Sequence, residues 1–245
     1  FASKLKFCAQ AGVNCVNLDS DHAGRILEAA RQAGKPVFTF SQRDPQADIY
    51  ASQVRKEDGQ TVFHVRTPQY EREFRLTMPG LFNVENALGV IAVCHALHVP
   101  PAAVYDGLVR ARVPGRMETY TNADGSLHAI VDYAHNRLSF ETLFRSVRAE
   151  YPGRELTVLF GCTGGKGIDR REGMGNAAGE WADRIILTED DPGPEEVEAI
   201  CADIGVFLAA HGKDYTVIPN REAAVETAIL GARRPAVVLL AVNLL

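Results

Sequence analysis

Apolar and polar residues alternate along Asn14-Cys15-Val16-Asn17-Leu18-Asp19, apolar positions recur at helical spacing over residues 22–33, and a second extended run covers 36–40. This pattern predicts strand, helix and strand, with Gly34 as the helix C-cap. Over residues 49–78, β-branched and aromatic side chains surround polar Glu57-Asp58-Gly59-Gln60, which predicts a hairpin and a third strand. A helix follows, with Ala87, Val90, Ile91, Val93, Cys94 and Leu97 on its apolar face, and a shorter one covers 102–109. Val113-Pro114-Gly115-Arg116-Met117-Glu118 then breaks the pattern with a Pro-Gly pair, which marks a boundary between residues 1–114 and 115–245.

Past that boundary, strands at 117–120 and 127–132 join across Asn122-Ala123-Asp124-Gly125. Further strands at 156–160, 184–187, 215–218 and 237–241 alternate with helices at 138–151, 175–181, 194–211 and 221–231. The expected class is α/β, with a mainly parallel, Rossmann-like sheet covered by helices on both faces in the second half. No Gly-x-Gly-x-x-Gly is present, which counts against a classical dinucleotide site.

The strand ends carry the candidate chemistry. The apolar run 128–131 stops at Asp132-Tyr133-Ala134-His135, and ligands of parallel sheets sit beyond the carboxyl ends of strands. Asp132 and His135 are therefore candidates to meet a nucleotide or metal, although an ordinary Asx-type turn into the next helix fits the same residues. After the next strand, residues 161–171 combine glycines with the cations Lys166, Arg170 and Arg171, a loop suited to an anion. It superficially resembles a phosphate-binding P-loop, but Gly167 stands where Ser or Thr would bind magnesium. A third strand leads to Thr188-Glu189-Asp190-Asp191-Pro192-Gly193, either an acidic binding loop or the acidic start of a helix with Pro194 at its first position. Asn83 and Asn86 stand one helical turn apart, so both amides can face an adenine or phosphate; alternatively Asn83 is an N-cap and Asn86 a solvated surface residue.

Composition narrows the classes. With 245 residues and 46% hydrophobic content, the chain can bury a large core and form one large or two ordinary domains. A net charge of -5 with no basic tract gives no electrostatic case for a nucleic-acid partner. Five scattered cysteines without CxxC spacing argue against a disulfide framework or structural zinc and fit a reducing cytoplasm. No signal peptide opens the chain, and the apolar run 235–245 is too short to span a bilayer, so no membrane partner is expected. The chain opens inside a helix without an initiator Met and reads as a piece of something longer.

Several stretches also carry a family resemblance. Asp132-Tyr133-Ala134-His135 resembles the signature that opens the last domain of the Mur ligases, in particular the MurE-type UDP-N-acetylmuramoyl-tripeptide synthetases. Gly80-Leu81-Phe82-Asn83-Val84-Glu85-Asn86-Ala87 resembles their Gly-x-Phe-Asn-x-x-Asn-Ala motif, whose second Asn approaches the nucleotide base. Val113-Pro114-Gly115-Arg116-Met117-Glu118 resembles the interdomain segment whose Arg reaches ATP when the last domain closes. Residues 161–171 resemble the Gly-Gly-Asp-Arg-Asp-x-Gly-Lys-Arg region, with Lys166 in place of the first Arg, a point charge where the family has a bidentate fork. Phe1-Ala2-Ser3-Lys4-Leu5-Lys6-Phe7 resembles the segment whose Lys is carbamylated to hold a second magnesium, which would give Lys4 that role; by composition Lys4 is one more exposed helical lysine. His22 follows Lys4, whereas the family's Asn-x-x-x-Asp-His motif precedes the modified Lys, so that role is not transferred. After 237–241 the family continues with Gly-Lys-Gly-x-Glu, and this chain reads Val242-Asn243-Leu244-Leu245.

The resemblance implies the back part of a central ATPase domain, without its P-loop portion, followed by most of a C-terminal ligase domain. It implies a cytoplasmic, monomeric ligase using ATP and magnesium. Such an enzyme activates a carboxylate of UDP-N-acetylmuramoyl-L-Ala-D-Glu as an acyl phosphate and joins an amino acid to it. Asn83, Asn86, Arg116, Asp132 and His135 would meet ATP, with Arg116 also serving catalysis; Lys166, Arg170, Arg171, Asp190 and Asp191 would meet the substrates. Where diaminopimelate-adding members carry an Arg in this loop, Gly193 stands here, so lysine or ornithine is the expected amino acid. With no P-loop among its residues, this chain alone is expected not to complete a catalytic cycle. A ligase of the folylpolyglutamate or cyanophycin type, or a non-catalytic nucleotide-binding paralogue, are the alternatives.

Overall fold

The computed structural model describes residues 1–241, apart from the side chain of Lys4. The Lys4 assignment and the Val242-Asn243-Leu244-Leu245 ending therefore lie outside the described residues. The chain divides into two compact units, Phe1–Arg112 and a second that begins at Val113.

The first unit runs α1 (Ala2–Gln10), β1 (Asn14–Asn17), α2 (Ala23–Gln32), β2 (Val37–Ser41), β3 (Ile49–Glu57), β4 (Gln60–Arg66), β5 (Glu71–Leu76), α3 (Asn83–Ala96) and α4 (Pro101–Arg110). Its sheet has the order β1-β2-β3-β4-β5, parallel from β1 to β3 and antiparallel from β3 to β5. The expected hairpin is made by Asp58-Gly59, whose φ angles of 51° and 75° give the turn that suits two twisted strands. Helix α3 covers the sheet, packing Ala87, Leu88 and Ile91 against Phe40, Phe63 and Phe74. Val90, Val93 and Leu97, expected inside, are 46%, 48% and 65% exposed. The helix is apolar on almost every side, so periodicity did not select its buried face, and packing on the sheet did.

The second unit runs β6 (Glu118–Thr121), β7 (Leu127–Val131), α5 (Arg137–Glu150), β8 (Glu155–Phe160), α6 (Asp169–Trp181), β9 (Arg184–Leu187), α7 (Val197–Ala210), β10 (Thr216–Val217), α8 (Arg221–Leu230) and β11 (Ala236–Ala241). Strand order is β10-β9-β8-β11-β7-β6, all parallel except β6. Helices α5, α6 and α7 pack in series, while α8 lies on β8, β9 and β11 with Ala224 and Ala228 buried among Leu159, Ile186 and Val238. This is a Rossmann-like α/β unit.

Two helix starts moved by three residues or more. Helix α6 starts at Asp169 rather than at 175, and its glycines are packing positions: Gly173 abuts Arg137, Gly175 abuts Phe207 and Gly179 abuts His211. Helix α7 starts at Val197, so Pro194 precedes the helix instead of opening it. No helix of the described residues is long and apolar enough to cross a membrane.

Candidate functional site

The site is built at the carboxyl ends of β7, β8 and β9. The ladder runs one residue past β7, where Asp132 N–H donates to Leu240 O at 3.2 Å. Two hydrogen bonds then tie this strand end to the turn before β6, and a third closes the turn on itself. Met117 N–H donates to Asp132 Oδ2 at 2.9 Å, Tyr133 N–H to Gly115 O at 2.9 Å, and Gly115 N–H to Glu118 Oε2 at 3.0 Å. Gly115 and Met117 have φ of 66° and 51°; for a non-glycine such as Met117 this costs on the order of 1–3 kcal/mol, which the Asp132 acceptor helps offset. Asp132 is 5% exposed. Burial pushes its carboxyl above the ordinary value, opposed by the Met117 N–H and by the charge of Arg116.

Asp132 thus fixes the turn that carries Arg116. Arg116 is exposed, with its guanidinium 5.2 Å above the Tyr133 ring, within cation–π range. The Tyr133 and His135 rings are 4.8 Å apart, and His135 Nδ1 lies 2.9 Å from Tyr133 O. A carbonyl oxygen only accepts, so Nδ1 carries a proton and Nε2 is left for a ligand. Helix α5 starts immediately afterwards through a capping box, in which Ser139 N–H donates to Asn136 Oδ1 at 3.0 Å and Asn136 N–H to Ser139 Oγ at 3.2 Å.

The loops after β8 and β9 close on each other. A Cβ on Gly161 would strike Thr188 O and stand 2.9 Å from Asp190 Cβ; one on Gly164 would fall on Pro192 O. Gly164 N–H donates to Asp191 O at 3.1 Å. Lys166 Nζ lies 3.4 Å from Asp191 Oδ2 with both side chains about two-thirds exposed, a pair worth about 0–1 kcal/mol that a charged ligand can displace. Asp190 is mostly buried and faces Arg221 at 3.5 Å.

Arg171 has a different occupation from the one expected. It is 4% exposed, with Nη2 bonded to Glu195 Oε2 at 2.7 Å and Nη1 to Asp203 Oδ2 at 2.6 Å. Burial opposes its charge, but the hydrogen bonds it donates to the two carboxylates outweigh that and hold the guanidinium above its ordinary pKa. Glu195 is held below the ordinary carboxylate range by Gly165 N–H and by Arg171. Arg171 is therefore taken up by internal carboxylates instead of facing a substrate anion, because α6 begins early enough to turn it inward onto α7.

A cavity of about 250 Å³ brings together His135, Lys166, Arg170, Asp190 and Asp191, while Asp132 and Arg171 do not line it. Cys162 and Met174 form a soft, apolar part of its wall, Sγ to Sδ 3.8 Å. Burial pushes the Cys162 thiol up to about 12, so it is protonated at neutral pH and serves as wall rather than nucleophile. In the first unit, Asn83 is buried and lies inside α3, whose N-cap is Phe82; its Nδ2 donates to Pro79 O at 2.6 Å and its Oδ1 accepts from Asn86 Nδ2 at 3.0 Å. Asn86 is exposed. Among the described residues no group of three or more His, Cys, Asp or Glu is arranged to hold a metal ion.

Sequence reasoning missed Tyr133, Cys162, Asp203 and Arg221, and saw Glu195 merely as part of an acidic helix start. Glu195 had a usable signal, an acid just past a loop expected beside a cationic one. Asp203 had none, since its place comes from α6–α7 packing.

The Mur ligase middle domain family matches residues 1–94, and the family described as Mur ligase, glutamate ligase domain matches residues 115–243. The chain belongs to the Mur ligase family. Members of this family are ATP-dependent ligases. Among similar Mur ligases is the UDP-N-acetylmuramoyl-L-alanyl-D-glutamate–2,6-diaminopimelate ligase of Clostridioides difficile (strain 630), 32% identical over 98% of this chain and 49% of that protein. Another is the UDP-N-acetylmuramoyl-L-alanyl-D-glutamate–L-lysine ligase of Enterococcus faecalis (strain ATCC 700802 / V583), 34% identical over 91% of this chain and 44% of that protein. The crystal structure of the UDP-N-acetylmuramate-alanine ligase MurC from Thermotoga maritima shares the fold with a TM-score of 0.71 at 20% identity, over 98% of this chain and 51% of that one. The chain spans about half the length of the curated relatives it matches.

Proposed function

We propose that this chain supplies nucleotide-facing and amino-acid-facing parts of a MurE-type, ADP-forming ligase. In this reading ATP activates a carboxylate of UDP-N-acetylmuramoyl-L-Ala-D-Glu as an acyl phosphate, and an amino acid's amine attacks it. The observation that carries the reading is the single cavity in which His135, Lys166 and Arg170 meet the carboxylates of Asp190 and Asp191. Cations and an imidazole beside acidic groups suit a reaction that brings phosphate, carboxylate and ammonium together, where positioning and charge neutralisation carry the catalysis.

Arg116 and His135 are assigned to the phosphates of ATP, Asp132 to setting the turn that presents Arg116, and Asn86 to the nucleotide base, with Asn83 holding the Asn86 amide. Lys166 and Arg170 are assigned to substrate carboxylate, Asp190 and Asp191 to the incoming amino acid. The reading includes a cytoplasmic monomer with no nucleic-acid or membrane partner, and magnesium held by the ATP phosphates, with Lys4, once carbamylated, as a ligand of a second magnesium.

The amino acid follows from the acidic loop. Gly193 offers no side chain to a distal carboxylate, and losing one charged hydrogen bond costs about 1.5–3 kcal/mol, a factor of roughly 10 to 150 in selectivity. A distal ammonium, as in L-lysine or L-ornithine, suits Asp190 and Asp191 better than the second carboxylate of diaminopimelate. Phosphate release by the full-length enzyme with the three amino acids at matched concentrations tests this. Faster release with lysine or ornithine is expected; a preference of about tenfold for diaminopimelate contradicts it.

A further inference from the structure

Resting on the ligase reading above, we propose that Arg171 and Glu195 are positioning residues that lock the cationic loop (161–168) and the acidic loop (188–195) into one body. The amino acid then meets both walls of the cavity at a fixed spacing. Neither residue lines the cavity. Glu195 is the joint: Oε1 accepts Gly165 N–H from the cationic loop, Oε2 accepts from Arg171 at 2.7 Å, and its own N–H donates to Pro192 O at 3.1 Å within the acidic loop. Arg171 extends the tie to α7 through Asp203 at 2.6 Å. Gly164 lies beside the same joint, leaving space for Pro192 O and for Glu195 Cβ where any other residue would place a Cβ.

The chemistry of the joint explains why it is charged. Gly165 and Gly167 take φ of 66° and 62°, a conformation glycine enters and leaves readily, so the loop needs an external tie to stay ordered. A planar guanidinium can hold two carboxylates on separate elements at once, which an ammonium does less rigidly. Once buried, it makes the loss of either partner costly. A ligand carrying both a carboxylate and a distal ammonium gains from such an arrangement, because its two ends are matched to walls that do not move apart.

In the full-length protein, Glu195→Gln keeps an oxygen for Gly165 N–H and removes the charge that holds Arg171. Hydrogen exchange in 161–168 and 188–195 is expected to accelerate together, and the amino-acid KM to rise at least about tenfold while the ATP KM stays within about twofold. Gly164→Ala, which changes no charge but displaces Pro192 and crowds Glu195, is expected to give the same two changes. Acceleration confined to one loop, or an unchanged amino-acid KM with both loops loosened, would overturn the proposal. The exchange readout needs no turnover. A wild-type protein with no amino-acid-dependent phosphate release would therefore refute the ligase reading and leave the clamp to be decided by exchange.

Discussion

Asp132 illustrates how one side chain can serve structure and chemistry together. Its carboxylate accepts Met117 N–H and so holds the turn that presents Arg116. The position at the end of β7 was legible from the apolar run before it, but the partner was not, since nothing in the local pattern pairs Asp132 with Met117. Because burial raises its folded pKa, Asp132 stabilises the fold below the ordinary carboxylate pKa and loses that contribution as pH rises through the raised value. Asp132→Asn removes the titration while leaving an oxygen for Met117 N–H. Unfolding followed between about pH 4 and about pH 7 should show the stability of the variant, relative to wild type, increasing as pH rises, whatever constant offset the amide introduces. A relative stability that falls over that interval would mean that Asp132 is favoured in its ionised form.

At the scale of elements, the site depends on two loops approaching more closely than side chains permit. Gly161 is the position where this is most exposed to test: an alanine Cβ would collide with Thr188 O, which is backbone, and crowd Asp190, the residue that faces the cavity. Gly161→Ala is expected to destabilise the second unit by about 1–3 kcal/mol, read as a lower denaturant midpoint with an unchanged slope. A midpoint equal to wild type would show that the loops stand further apart. The same glycines explain an uneven legibility. The alternation of strands and helices was readable because β8, β9 and β11 are short apolar runs between polar turns. The first turns of α6 were not, because residues 169–174 continue a cationic, glycine-rich stretch in which Gly173 acts as a helix-packing contact. Helix α3 was found with Ala87 and Ile91 rightly inside and Val90, Val93 and Leu97 wrongly so, since an almost uniformly apolar helix carries little phase.

At the scale of the whole molecule, the two compact units and the parallel order of the second follow from local pattern plus short connections. The order β10-β9-β8-β11-β7-β6, with the last strand inserted between β8 and β7, does not, because pairing between distant segments leaves no local mark. The cavity inherits that topology: its residues come from the ends of β7, β8 and β9, far apart in the chain and joined by the sheet. The claim that this cavity serves an ATP-dependent ligation is tested most directly by product formation in the full-length protein. Given ATP, UDP-N-acetylmuramoyl-L-Ala-D-Glu and L-lysine, ADP and a new amide should form in equal amounts, and neither should form when dipeptide or amino acid is withheld. His135→Ala should slow both by about tenfold or more, corresponding to roughly 1.4 kcal/mol of transition-state stabilisation. ADP formation independent of the amino acid, or ligation untouched by His135→Ala, would contradict it.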